Sequence, residues 1–141
     1  METRDLVKDQ IEQLGRVLGK IIADFLGLKS NGDVTQGIEI SKNQFKNELD
    51  IDVDKIIDLS KNELKKYLLD HKLTGEHVEL IAYYLINITE SNILTGKQET
   101  KKYLEKVLDL YDIADELSQT ISFDRINKKS KIENVLQLHL S

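Results

Sequence analysis

Apolar side chains recur every three or four residues along almost the whole chain. That spacing places them on one side of a helix. In residues 3–28, Val7, Ile11, Leu14, Leu18, Ile21, Phe25 and Leu28 follow steps of four and three, and Val17, Ile22 and Leu26 widen the stripe. A stripe so broad suits a helix packed into a globular core rather than a narrow two-stranded seam. Ser30-Asn31-Gly32-Asp33 then signals a turn, because Asn and Gly tolerate positive φ. A second helix follows with Val34, Ile38, Phe45 and Leu49; Gly37 weakens its intrinsic propensity. Residues 50–58 read as a loop with one helical turn.

Ser60-Lys61-Asn62-Glu63 has the spacing of a capping box and opens a helix carrying Leu64, Tyr67 and Leu68. Thr74 is the next N-cap. The helix after it, with Val78, Leu80, Ile81, Ala82, Tyr83, Tyr84, Leu85, Ile86 and Ile88, is apolar on nearly every side, as a central helix is. Thr95-Gly96 marks its end. From Gln98, a stripe of Tyr103, Val107, Leu110, Ala114, Leu117 and Ile121 predicts a fifth helix. Ser122 or Asp124 caps a last one with Ile126, Ile132, Val135 and Leu136, and residues 137–141 fray. Two short alternating runs, residues 37–41 and 50–54, have no hairpin partner, so strands are not expected. The expected fold is all-α: a single domain over residues 1–141 of five or six antiparallel helices, with N-terminal helices in 1–72 and a second helical half in 73–141.

Composition narrows the function classes. The 141 residues contain no proline, cysteine or tryptophan. Without proline the strongest helix stop is missing, and without cysteine there is no disulfide or thiolate chemistry, which fits the cytoplasm. Charged residues interrupt the first apolar stretch, so no signal peptide is expected, and no window is apolar enough to span a membrane. A net charge of −5 disfavours non-specific nucleic-acid binding.

No motif for chemistry stands out. Asp50, Asp52 and Asp54 open like a calcium loop, but Lys55 and Lys61 occupy the places of its glycine and closing glutamate. They read instead as an acidic connector that caps a helix start. His71 and His77 are six apart, where ligands on one helix need three or four; His77 reads as a surface residue of a first turn, and no metal or cofactor is expected. Asp112, Asp115 and Glu116 are carboxylates at helical spacing, read as a solvated face. Arg125, Lys128, Lys129 and Lys131 form a basic cluster, also read as solvated. Gly15 and Gly19 allow another helix to approach closely, either within the chain or in a homodimer through the first helix.

Val78, Ile81, Ala82 and Leu85, followed by Tyr103-Leu104-Glu105-Lys106-Val107-Leu108-Asp109-Leu110-Tyr111, resemble the two helices of a tetratricopeptide unit. About six extra residues lie between the helices, and the closing proline of that repeat is absent. Ile11-Glu12-Gln13-Leu14-Gly15, residues 60–64 and this tetratricopeptide-like half together look like an uncharacterised bacterial family of small helical proteins. The resemblance implies helix hairpins and no activity. It also implies that Glu79, Tyr83 and Asn87 lie on the repeat's inner, ligand-facing side, although Tyr83 reads equally well as a core residue. The expectation is therefore a non-catalytic interaction or scaffold protein with a protein or peptide partner, in which charge reversal at Glu79 weakens binding without disturbing the fold. The alternatives are an enzyme or small-ligand binder with a dispersed site between helices, and weak nucleic-acid binding through the C-terminal basic face.

Overall fold

The computed structural model describes residues 2–91 and 96–139, with side chains over 7–91 and 96–138. The described residues form seven helices and no strand: α1 (Glu2–Ser30), α2 (Val34–Leu49), α3 (Val53–Asp58), α4 (Lys61–Asp70), α5 (Gly75–Glu90), α6 (Lys97–Ser118) and α7 (Phe123–His139). Five or six were expected. The additional one is α3, because the acidic connector closes into six helical residues. Asp52 caps it by accepting from the Lys55 N–H at 3.1 Å, and Val53, Ile56 and Ile57 are buried beneath. Thr95 of the expected stop signal, and Leu140 and Ser141 of the tail, lie outside the described residues.

Local signals explain most boundaries. Ser60 accepts from the Glu63 N–H at 3.2 Å, and the Glu63 carboxylate accepts from the Ser60 N–H at 3.1 Å, so both halves of the capping box are present. These bonds to its charged form hold the Glu63 carboxyl below its ordinary range. Ser122 caps α7 by accepting from the Arg125 N–H at 3.3 Å. Gly37, a weak helix former, earns its position by contact: a Cβ there would lie 3.1 Å from Leu28 Cβ, so α1 and α2 pack closely at this point. One stripe residue is displaced. Gln119 adopts a left-handed conformation and ends α6 at Ser118, so Ile121 lies beyond the helix and is 77% exposed instead of extending the buried stripe.

α1 and α2 form one antiparallel hairpin, and α5 and α6 another, with Gly75 at the start of α5 against Ala114 and Ser118 near the end of α6. α1 and α5 run in the same direction, since Ile11 meets His77 near their starts and Lys29 meets Asn87 near their ends. The core closes around α5. Tyr84 is fully buried, stacks edge-on against Phe25 with centroids 5.1 Å apart, lies 4.9 Å from the Phe45 ring and shares a 2.5 Å hydrogen bond with Ser41. Three helices therefore meet on one tyrosine whose hydroxyl is satisfied; burial pushes its pKa far up. α3 and α4 cover the opposite flank of α6 through Lys61 to Asp112 (2.9 Å), Lys65 to Glu116 (2.8 Å), Lys102 to Asp58, and Lys106 to the Leu59 carbonyl. α7 lies across α5 and α6. Among the described residues no helix is long and apolar enough to cross a membrane.

Candidate functional site

Glu76, Glu79, Tyr83, Asn87 and Glu90 follow each other at spacings of three and four, which puts them on one face of α5. Most of the rest of α5 is enclosed by its neighbours, with Leu80, Ile86 and Thr89 partly buried. Tyr83 is the exposed aromatic of this strip, 47% accessible in the middle of the most apolar helix of the fold.

The two residues grouped with Tyr83 by sequence are held in place. The Glu79 carboxylate lies 3.5 Å from the Arg125 guanidinium of α7. Asn87 is buried; its amide N–H donates to the Tyr83 carbonyl at 3.0 Å, and its side-chain oxygen accepts from Lys29 of α1 at 3.0 Å. Lys29 also reaches the Asn87 carbonyl at 3.1 Å and lies 3.8 Å from Glu90. Glu79 thus joins the strip to α7 and Asn87 joins it to α1, with Tyr83 between them. Among the described residues no ion pair engages Glu76.

His77 corrects an expectation. It is buried, not a surface residue. Its Nδ1 accepts from the Thr74 N–H at 3.0 Å, filling the role of the glutamate in a capping box, and its Nε2 lies 3.0 Å from the Ile11 carbonyl of α1. Gly15 faces the same ring: a Cβ there would lie 3.6 Å from His77 Nε2. That is ordinary van der Waals contact, which a methyl group would also make, and a Cβ at Gly19 would meet nothing within 4 Å, so neither glycine is required by the packing around it. The signal in sequence was the Thr74-to-His77 spacing, obscured because imidazole is not the usual partner. His71 sits at the C-cap of α4, with its ring nitrogens 2.8 Å from the carbonyls of Tyr67 and Asp50. The two histidines serve different contacts, and among the described residues no cluster of His, Asp or Glu has the makings of a metal site.

Of the two groups read as solvated faces, Arg125 and Lys129 instead meet Asp115 and Asp112 of α6, while Lys128 and Lys131 stay exposed. Arg125, with a side chain only 8% exposed, donates to Asp115 at 2.5 Å and to the Thr120 carbonyl at 3.0 Å. Lys129 bonds Asp112, which also accepts from Lys61. Lys128 pairs with Asp124 at 2.9 Å. Burial pushes the Asp112 carboxyl up, but the hydrogen bonds and charges of Lys129 and Lys61 outweigh it and leave it below its ordinary value. Glu116 is lowered by Lys65. These carboxylates are held ionised, which suits attachment of α7 and α4 rather than proton donation near neutral pH. Three of the four basic side chains are consumed in these contacts, leaving Lys131 as the one without an ionic partner among the described residues.

A cleft of about 360 Å³ opens where α5, α6 and α7 diverge, lined by Ile86, Leu104, Ile132, Val135, Lys128 and Lys131, together with Thr89, Glu90 and Thr100. Sequence reasoning did not find it. Its walls come from three successive helices, and periodicity within each of them does not report the gap left where they diverge.

Comparison with models of protein families, with curated proteins and with solved structures finds no match to this chain.

Proposed function

We propose that this protein is a non-catalytic protein–protein interaction module whose partner contacts the exposed strip of α5. The observation that carries the reading is Tyr83: a large aromatic side chain left half exposed on a helix most of whose apolar residues are buried in the core. Tyrosine loses little conformational freedom on binding and offers both apolar area and a hydroxyl, which is why it is favoured at contact centres. Glu79 and Asn87 frame it and hold the backbone beneath it rigid, so the contact is preorganised. Glu76, without an ion pair among the described residues, gives the strip a preference for a partner with a basic flank. The tetratricopeptide-like pattern in α5 and α6 supports the same face, since it assigns Glu79, Tyr83 and Asn87 to the inner side of such a unit. The cysteine-free composition fits a protein or peptide partner met in the cytoplasm.

Because Glu79 is engaged by Arg125, charge reversal there alters the seat of α7 as well as the strip. Tyr83→Ala is the cleaner test, since the ring lies outside the core. Partners recovered by co-purification from the native host are titrated against wild type and Tyr83→Ala. A loss of about tenfold to thirtyfold in affinity, with an unchanged circular-dichroism spectrum, is expected for a contact-centre tyrosine. Equal affinity of the two proteins removes the strip from the interface.

A further inference from the structure

The cleft between α5, α6 and α7 has a chemistry of its own. Leu104 and Ile132 are buried at its floor, and Ile86 and Val135 are partly to largely open along its walls. All four are aliphatic, and no aromatic ring lines it. The polar groups are restricted. The Thr89 hydroxyl donates to the Ile86 carbonyl at 2.6 Å and the Thr100 hydroxyl to the Gly96 carbonyl at 3.2 Å, so neither has its hydrogen free for a ligand. Glu90 lies 3.8 Å from Lys29, and the Lys128 charge is matched by Asp124. Among the described residues, the lining charge without an ionic partner is the Lys131 ammonium.

We propose that this cleft binds an unbranched aliphatic monocarboxylate, with the alkyl chain against Ile86, Leu104, Ile132 and Val135 and the carboxylate at Lys131. A pocket of this volume falls at the small end of ligand sites, which are apolar with few polar groups that set orientation. Aliphatic walls without a ring favour a flexible chain over an aromatic body. One cation without an ionic partner among the described residues, with both threonine hydrogens occupied, matches one singly charged head better than a phosphate, which calls for several donors. The site is separate from the Tyr83 strip, so neither reading depends on the other.

The probes are decanoate and decanol, titrated calorimetrically into the full chain below the micellar range. Decanoate binds saturably at one site, and decanol binds roughly threefold to fivefold more weakly, as loss of one partly exposed ion pair dictates. Lys131→Met removes that difference. Val135→Trp, at a position already 41% exposed and so tolerant of a larger side chain, fills the cleft and weakens uptake at least about tenfold. Tyr83→Ala leaves uptake unchanged. Absence of saturable uptake by wild type, equal binding of decanol and decanoate, or undiminished uptake by a folded Val135→Trp variant each overturns the proposal.

Discussion

α5 and α7 are helices of nearly equal length, and they are attached by different forces. α5 is enclosed by α1, α2 and α6, and its attachment is aliphatic and aromatic: Val78, Ile81, Ala82, Tyr84, Leu85 and Ile88 are all essentially inaccessible. α7 buries Ile132 and part of Leu136, while Phe123 (85% exposed), Ile126, Val135 and Leu138 remain open. Its anchors are charged, through Arg125 to Asp115 and Glu79 and through Lys129 to Asp112 and Asp115. Apolar burial responds little to salt or acid, whereas ion pairs are screened by one and neutralised by the other. The molecule therefore combines a core held by packing with an outer helix held by charge, and the cleft lies on the seam between them.

The contrast is broken most strongly in the core. Leu85→Ala removes a fully buried side chain and is expected to cost about 2–5 kcal/mol of global stability, read as a lower urea midpoint for the whole chain. A smaller, local effect is expected at the outer helix. Arg125→Met leaves Glu79 without its cation and Asp115 with only Lys129 at 3.9 Å, and is expected to cost about 1–3 kcal/mol, because both carboxylates retain some access to water. Hydrogen exchange should show faster exchange in α7 with α5 unchanged; equal acceleration in both helices removes the distinction.

Acid sharpens the comparison with the smallest expected change. The Asp112 carboxyl is held below its ordinary value of 3.8 by Lys129 and Lys61. A depressed carboxyl contributes stability that is fully present above its unfolded value and is lost as pH falls through the folded one. Attachment of α7 and α4 should thus be constant at neutral pH and weaken below about pH 3.8, ahead of the core. Asp112→Asn should flatten that acid response in hydrogen exchange of α7; an unaltered response assigns it to other groups.

Much of this architecture was legible in the residues. The stripe from Val7 to Leu28, the Ser60–Glu63 box, the Ser122 cap and the all-round apolar character of α5 follow from helical geometry, which acts over three or four neighbours and is therefore written locally. Some local signals were present but unusual: Thr74 with His77 is a capping box with imidazole in place of a carboxylate, and Asp52 caps a helix of only six residues.

What no window of sequence reports is which distant groups meet. Arg125 to Asp115, Lys129 to Asp112, Lys29 to Asn87 and Gly15 to His77 depend on how whole helices cross. Charges that read as a solvated face became internal attachments once α6 and α7 were laid together. Tyr83 emerged from the core, and the cleft opened, only when the neighbours of α5 took their places. Periodicity states which side of a helix is buried; partners and empty volume are properties of the assembled set, decided by tertiary packing.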